Sequence, residues 1–461
     1  MGPHHGWMGN AMTRSVPSGE RSRHGWGAPV TAPGPALRAM ATRVRAIQHN
    51  PLNFLMESWR QYGDVVQFPF PPFPLPTTYM VSSPQGARDV LLQHHRLMSK
   101  RTLQYSTLSL VTGEGLLTAE TDACKTTRRQ LAPAFHQDMI GLATKPVTDA
   151  LTRLDKYWAQ LTAAGPTLID VDQSMMNLAL EITGATLFSA DLTEQVDHLT
   201  TATLDALHCL VQRVRNPLPM PLAVPTPGNL RMRSAIRQLD LAVDAIIEQR
   251  RADPLPAGQP IRDMLDVLMD PTLTQPFSSK QIRDEVATFI VAGHETLASA
   301  LTWAWYLLGA NPKEAERLRE DPQRSSLVFD ETLRLYPPAW VISRRTIEPV
   351  EIDGIHIPAN AIVIVSPWII HRNPAVWHSP ESFIPDRFAQ GQPALGYLPF
   401  GAGPRLCIGR DMARMQGAHI LSHIAQHWKL EPTNHRQVPI EASATLRPQG
   451  GLPMLLQHIT H

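Results

Sequence analysis

"FGAGPRLCIGR" runs from Phe400 to Arg410, and its reading decides the fold. The chain has three cysteines, Cys124, Cys209 and Cys407. A structural cysteine sits in an apolar run and behaves as a small hydrophobe. Cys407 instead lies between Gly403–Pro404–Arg405 and Gly409–Arg410, among residues that shape backbone and carry positive charge. Cysteine is useful chemically as the thiolate, which nearby cations and backbone N–H groups favour. The stretch that follows, "IGRDMARMQGAHILSHIAQHW", has helical patterning, which predicts Cys407 at a helix N-terminus, where unpaired N–H groups favour an anion. Gly403 and Gly409 permit a tight turn and close approach to a flat partner. Arg405 points to the other side of the loop, free for a carboxylate. The competing reading is a buried free cysteine in a glycine-rich turn. A dinucleotide loop is excluded, because Leu406 stands where the third glycine belongs.

Working outward, the 461 residues are 43% hydrophobic with a net charge of +1, enough for a sizeable core and with no global pull toward nucleic acid. The cysteines are widely spaced and lack a CxxC pair, so neither a disulfide framework nor a zinc cluster is indicated, and a reducing, cytoplasmic setting fits. No apolar run reaches the roughly 18 residues of a membrane span, so no transmembrane anchor is expected, with peripheral membrane contact left open. Residues 1–35 are rich in Gly, Pro, His and Ser and read as a disordered tail; 36–461 reads as one domain. Helical periodicity covers 51–62, 84–94, 121–135, 147–164, 172–188, 193–214, 230–252, 280–309, 312–320, 325–335 and 407–427. Strand patterns occupy "DVVQFPF", "TTYMVSS", 350–367 and 440–458. Proline-rich connectors lie at 215–229 and 252–260. The expectation is a mainly α fold with a small β-sheet subdomain.

Three further stretches carry chemistry. In "EVATFIVAGHETLASALTWAW" (285–305), Phe289, Ala292, Gly293, Thr296 and Ala300 fall on one helical face with a small centre. Thr296 presents a hydroxyl with Glu295 beside it, a pair able to deliver protons through water at a dry site. A local bulge at Gly293 would make room for O2. The alternative is a buried helix whose threonine bonds its own carbonyl. A zinc-protease reading fails because Ala298 replaces the second histidine. Glu331 and Arg334 lie three apart on one helix face, and "PDRF" (385–388) adds Arg387. "CKTTRRQLAPAFH" (124–136) places Arg128 one turn after Cys124.

A flat partner that offers a metal to sulfur and carboxylates to arginine is haem. The pattern Phe400–x–x–Gly403–x–Arg405–x–Cys407–x–Gly409 resembles the cysteine loop of the cytochrome P450 family. Ala292–Gly293–His294–Glu295–Thr296 is similar to its oxygen-binding helix. The resemblance spans about residues 50–460 and implies the family's fold, with haem b between the central helix and the cysteine-loop helix. It makes Cys407 the axial thiolate, and Thr296 and Glu295 the proton relay. Glu331, Arg334 and Arg387 become a structural triad. Arg128, Arg344 and Arg405 become contacts of the haem propionates. Cys124 stands where the family usually has an aromatic residue, and Gln416 where it usually has Glu. "RTLQYSTLSLVTGEGLLT", "VAGHETLASALTW", "LRLYPPAWVISRR" and "TLRPQGGLP" look like bacterial members that hydroxylate the β-ionone ring of β-carotene at carbon 3.

The resemblance thus implies a monooxygenase that inserts one oxygen atom from O2 into a C–H bond of a long hydrophobic substrate. Fatty acids or terpenes are the alternative substrates. Tyr105, Leu108, Phe289, Ile290, Trp340, Val341, Ile342 and Leu446, with Leu103, are the candidate lining. Electrons from NAD(P)H would arrive through a ferredoxin reductase and an acidic ferredoxin docking near Lys125, Arg129, Arg410 and Arg414. The enzyme is expected to be a monomer. The rivals are a non-catalytic haem sensor or carrier, which has no need of Thr296, and a metal hydrolase, for which the histidines lack ligand spacing.

Overall fold

The computed structural model describes residues 31–69, 76–192, 196–215, 220–391, 396–434 and 437–459. Most of the expected tail (1–30), the start of the helix expected over 193–214 and residues 216–219 of the first connector lie outside the described residues. Residues 31–35, also assigned to the tail, lie along a strand: the Pro33 carbonyl accepts the Gln67 N–H at 2.9 Å.

The helices that build the site are labelled in chain order: α1 (Leu103–Thr112), α2 (Thr121–Leu131), α3 (Val171–Phe188), α4 (Val196–Arg215), α5 (Pro227–Ala252), α6 (Ser279–Ala310), α7 (Ser325–Leu335) and α8 (Arg410–His427). The main sheet contains β1 (Val65–Phe68), β2 (Thr78–Val81), β3 (Met98–Ser99), β4 (Ile342–Thr346) and β5 (Ile362–Val365), in the spatial order β1-β2-β5-β4-β3. Only the β2–β5 pair is parallel. A hairpin pairs β6 (Ile440–Ala442) with β7 (Leu446–Pro448) in the register Ala442↔Leu446. The final strand, Pro453–His458, pairs with Thr167–Asp170 and Trp428–Pro432 rather than closing a terminal hairpin.

α6 is the axis of the molecule. Ser278 and Gln281 form a reciprocal capping box at its start. It is apolar nearly all round, the pattern of an interior helix. Its first half joins a core with α4 and α5, and its second half a core with α3 and α8. Gly293 sets the approach of α3: a Cβ there would lie 3.0 Å from Thr183 Cγ2. On α8, Gly417 admits the Phe329 ring of α7, whose atoms would sit 2.4–2.6 Å from a Cβ. β3 ends beside β4, and this contact carries residues 98–105 to the edge of the site.

Candidate active site

The cysteine loop is held at both ends. The Cys407 N–H donates to the Phe400 carbonyl at 3.0 Å. Gly401 and Gly403 have φ of 71° and 69°, which favours glycine at both. A Cβ on Gly403 would also lie 2.2 Å from the Leu91 carbonyl oxygen. Gly409, by contrast, has φ −88° and only Phe135 near its missing Cβ, at 3.8 Å, so the turn does not demand glycine there. α8 begins at Arg410, so Cys407 precedes the helix instead of opening it as expected. The Cys407 side chain is exposed, yet protein atoms crowd it enough for burial to push its thiol pKa up. Both hold for a thiol that looks into a cleft within the molecule. The Gly409 N–H, Arg128 and Arg410 pull the pKa down, as expected, but burial outweighs them. A coordinated metal reverses that balance, because a ligating thiol is deprotonated.

Behind the loop lies a buried brace. Arg334 donates to both oxygens of Glu331, at 2.7 and 2.8 Å, and to the carbonyls of His371, Pro380 and Ser382. Arg387 Nε reaches Glu331 Oε1 at 3.0 Å, and the Ile384 N–H shares that oxygen at 2.8 Å. Both Glu331 and Arg334 are fully buried, so each lone pair and donor must be met. His371, absent from the sequence reading, links this brace to the loop. Its Nδ1 lies 3.0 Å from the Arg334 carbonyl, and its Nε2 accepts the Leu398 N–H at 2.8 Å. That pair of contacts fixes the tautomer with the proton on Nδ1. Burial, with Arg334 beside it, holds the His371 pKa down at about 3.

Cations gather at the β3–β4 edge. Arg344 is buried, and its Nη1 donates to the Ser343 carbonyl at 2.8 Å. Arg405 has a buried Nη1 with no hydrogen-bond partner. Burial lowers its pKa, and Arg344 adds to the lowering. Cys124 is buried beside Arg405, and Arg128 acts on Cys407. Free guanidinium donors with no bonded carboxylate, beside a thiol facing a cleft, fit the iron and the two anionic propionates of a haem.

On α6, Ala292 and Gly293 are half-buried and Thr296 is exposed, in the middle of an otherwise buried stretch. The helix is continuous through Gly293, without the expected bulge. Gly293 serves the α3 contact rather than presenting a bare face to a flat ligand. Thr296 Oγ1 donates to the Ala292 carbonyl at 2.7 Å. Glu295 is buried and turned elsewhere: the Thr445 hydroxyl donates to it at 3.0 Å, and burial lifts its pKa to about 7 against the pull of Arg447. The two side chains are therefore adjacent in sequence but not in hydrogen-bond contact. Glu295 borders a polar cavity of about 210 Å³ with His208, Glu441 and Arg447.

The candidate lining divides. Leu103 is exposed, and Tyr105, Leu108, Trp340 and Val341 are half-buried; Trp340 Nε1 donates to the Ser443 carbonyl at 3.1 Å. Ile342 is buried but touches the missing Cβ position of Gly401 at 3.7 Å. Ile290 and Leu446 have no free surface and are core residues. The Leu446 carbonyl accepts from Ser299 and Trp303. Phe289 stacks on Phe135 at 5.6 Å, and Phe135 is the ring beside Gly409, so Phe289 backs the cysteine loop. Periodicity placed Phe289 on a helical face, and Ile290 and Leu446 followed from the family resemblance, without showing which neighbour covers any of the three.

Comparison with known proteins converges on one family. The family model described as Cytochrome P450 matches residues 31–453. The Streptomyces melanosporofaciens cyclooctat-9-en-7-ol 5-monooxygenase is 32% identical, over 87% of this chain and 89% of its own. Cyclooctatin synthase of the same organism is 30% identical, over 85% and 88%. The crystal structure of CYP175A1 from Thermus thermophilus superposes with a TM-score of 0.75 at 29% identity, covering 92% of this chain and all of that one. The chain belongs to the cytochrome P450 family of monooxygenases, which hold haem through a thiolate, use O2 and draw electrons from redox partners.

Proposed function

We propose that this monooxygenase hydroxylates a long isoprenoid, the β-ionone ring of β-carotene at carbon 3, with Cys407 as the axial ligand. The observation that carries the reading is the break in burial at Ala292 and Thr296 in an otherwise buried helix, with a single hydroxyl on it, beside the Gly293 that packs on α3. Bound haem supplies the chemistry that places one oxygen atom of O2 into a C–H bond. Arg128, Arg344 and Arg405 would hold its propionates, and Phe400 and Gly409 would flank the Cys407 thiolate. Thr296 holds a proton at Oγ1 beside the cleft. Glu295, with its pKa lifted to about 7, recharges that hydroxyl after rotating off Thr445. A sensor or carrier has no use for such a pair. Glu331, Arg334 and Arg387 hold the loop in place.

Leu108, Trp340 and Val341 are proposed as apolar lining, and such a lining rewards each buried CH2 by about 0.8 kcal/mol and offers few partners to a polar body. The carotenoid reading rests on the four sequence stretches that look like carotene hydroxylases. A second reading, oxidation of a terpenoid, is favoured by the names of the Streptomyces relatives. A ferredoxin with its NAD(P)H-dependent reductase is the proposed donor to a cytoplasmic monomer. Among the described residues no helix is long and apolar enough to cross a membrane. Expression in a β-carotene-producing bacterial host with a ferredoxin pair tests the substrate. Cryptoxanthin followed by zeaxanthin supports it; oxidised terpenes or fatty acids with neither carotenoid product leave only the monooxygenase.

A further inference from the structure

Lys100 is the cation at the site that no motif announces. It follows β3 directly, and its carbonyl accepts the Thr102 N–H, while Thr102 Oγ1 lies 2.9 Å from Ser343 Oγ on β4. The side chain is buried, 7% exposed. A buried ammonium is normally paired with a carboxylate. This one is not. Its Nζ donates to the Leu117 carbonyl and lies 4.5 Å from the centre of the Tyr105 ring. An ammonium has three donors and one is committed to Leu117, so donors remain for a further partner.

The neighbours make the arrangement costlier. Arg344 and Arg405 both act on Lys100, and with burial they hold its pKa well below the ordinary lysine value. The carboxylate in the vicinity, Glu120, is engaged by Ser99 Oγ at 3.0 Å and by Arg101 at 3.8 Å. Three cations thus converge at a point where none is neutralised, and the buried Arg405 Nη1 has no partner. An anionic ligand would hold all three in their charged forms, and two carboxylates on one rigid body would offer a partner to more than one of them. Cys124 lies in the same corner, at the position where the family resemblance places an aromatic donor, and a thiol donates only weakly.

We propose that Lys100 takes over that missing donor role and binds a haem propionate as an ammonium–carboxylate pair, alongside Arg344 and Arg405. This rests on the haem–thiolate reading of the site. Loss of Lys100 would then loosen the cofactor and remove a positive charge from its rim, making reduction of the iron less favourable.

The test uses the haem-loaded enzyme and Lys100→Gln, Lys100→Met and Lys100→Arg. Haem transfer to excess apomyoglobin should be about tenfold faster for the Gln and Met variants. Their reduction potentials should move to more negative values, and Lys100→Arg should stay near the parent in both. The decisive comparison repeats the transfer with haem dimethyl ester, which has no propionate charge. There the parent and Lys100→Gln should release the cofactor at similar rates. If Lys100→Gln costs the same with ester and free acid, or leaves transfer and potential unchanged while lowering thermal stability, Lys100 is only a brace for Leu117. If the neutral variants do not fold, Lys100→Arg and the parent still decide: equal retention of free-acid and ester haem in the parent overturns the proposal. The carbon monoxide band of the reduced parent reports separately whether the haem–thiolate reading holds.

Discussion

At the residue scale, the pair Glu295–Thr296 shows how burial assigns different work to neighbours. Thr296 is exposed and bonds its own helix; Glu295 is buried and accepts from Thr445 inside the protein. Thr296→Ala should leave haem content intact and lower product formed per NAD(P)H by roughly tenfold, with the lost electrons recovered as hydrogen peroxide. Unchanged coupling would remove Thr296 from the reaction. For Glu295 the sign of the pH effect is fixed by its pKa, about 7 in the folded protein against 4.5 for an ordinary glutamate carboxyl. The native state keeps a proton on Glu295 that the unfolded chain loses, so the contribution of Glu295 to stability is most favourable below pH 4.5 and falls as pH rises toward 7. The loss is on the order of 3 kcal/mol at most. Glu295→Gln should therefore gain thermal stability relative to the parent at about pH 8 and not near the ordinary glutamate value of 4.5; parallel melting temperatures at both would contradict the burial of that charge.

At the element scale, the long helices were legible because their apolar period is regular: the helices expected over 51–62, 312–320 and 325–335 appear with those bounds. α1 was missed. "LQYSTLSLVT" is rich in Ser and Thr, and its Leu103 and Leu110 are exposed, so no stripe marks it. The cysteine loop and the Glu331–Arg334–Arg387 brace were legible as motifs, whereas His371 was not. Its partners, Arg334 and Leu398, are distant in sequence and bond it through backbone atoms, which no side-chain pattern encodes. His371→Phe should strand a buried carbonyl and a buried N–H, lower stability by about 2–4 kcal/mol and speed haem loss. Melting curves and haem release measure both, and no change in either would free the loop from this brace. The ring must also stay neutral. With a folded pKa of about 3 against an ordinary 6.5, its contribution is complete above pH 6.5 and fades as pH falls below it.

At the scale of the whole molecule, the fold holds the Cys407 thiol and the exposed Thr296 of α6 in one protein body, and the family draws its electrons from redox partners. The basic face expected to meet that source is smaller than its sequence suggests. Arg410 pairs with Asp411 at 2.7 Å, and Arg414 with Asp330 at 2.5 Å, which leaves Lys125 and Arg129 as the exposed positive groups of the four. Replacing both with glutamate should slow reduction by an acidic ferredoxin severalfold at low salt and progressively less as salt rises, with little effect on substrate binding. A salt-independent effect would place docking elsewhere. The proposed ligation of iron by Cys407 anchors the whole site, and one spectrum tests it: the purified, reduced protein under carbon monoxide, parent beside Cys407→Ser. Thiolate ligation gives a strongly red-shifted band in the parent that is abolished in the variant. The same red-shifted band surviving in Cys407→Ser would contradict the assignment of Cys407 as the iron ligand.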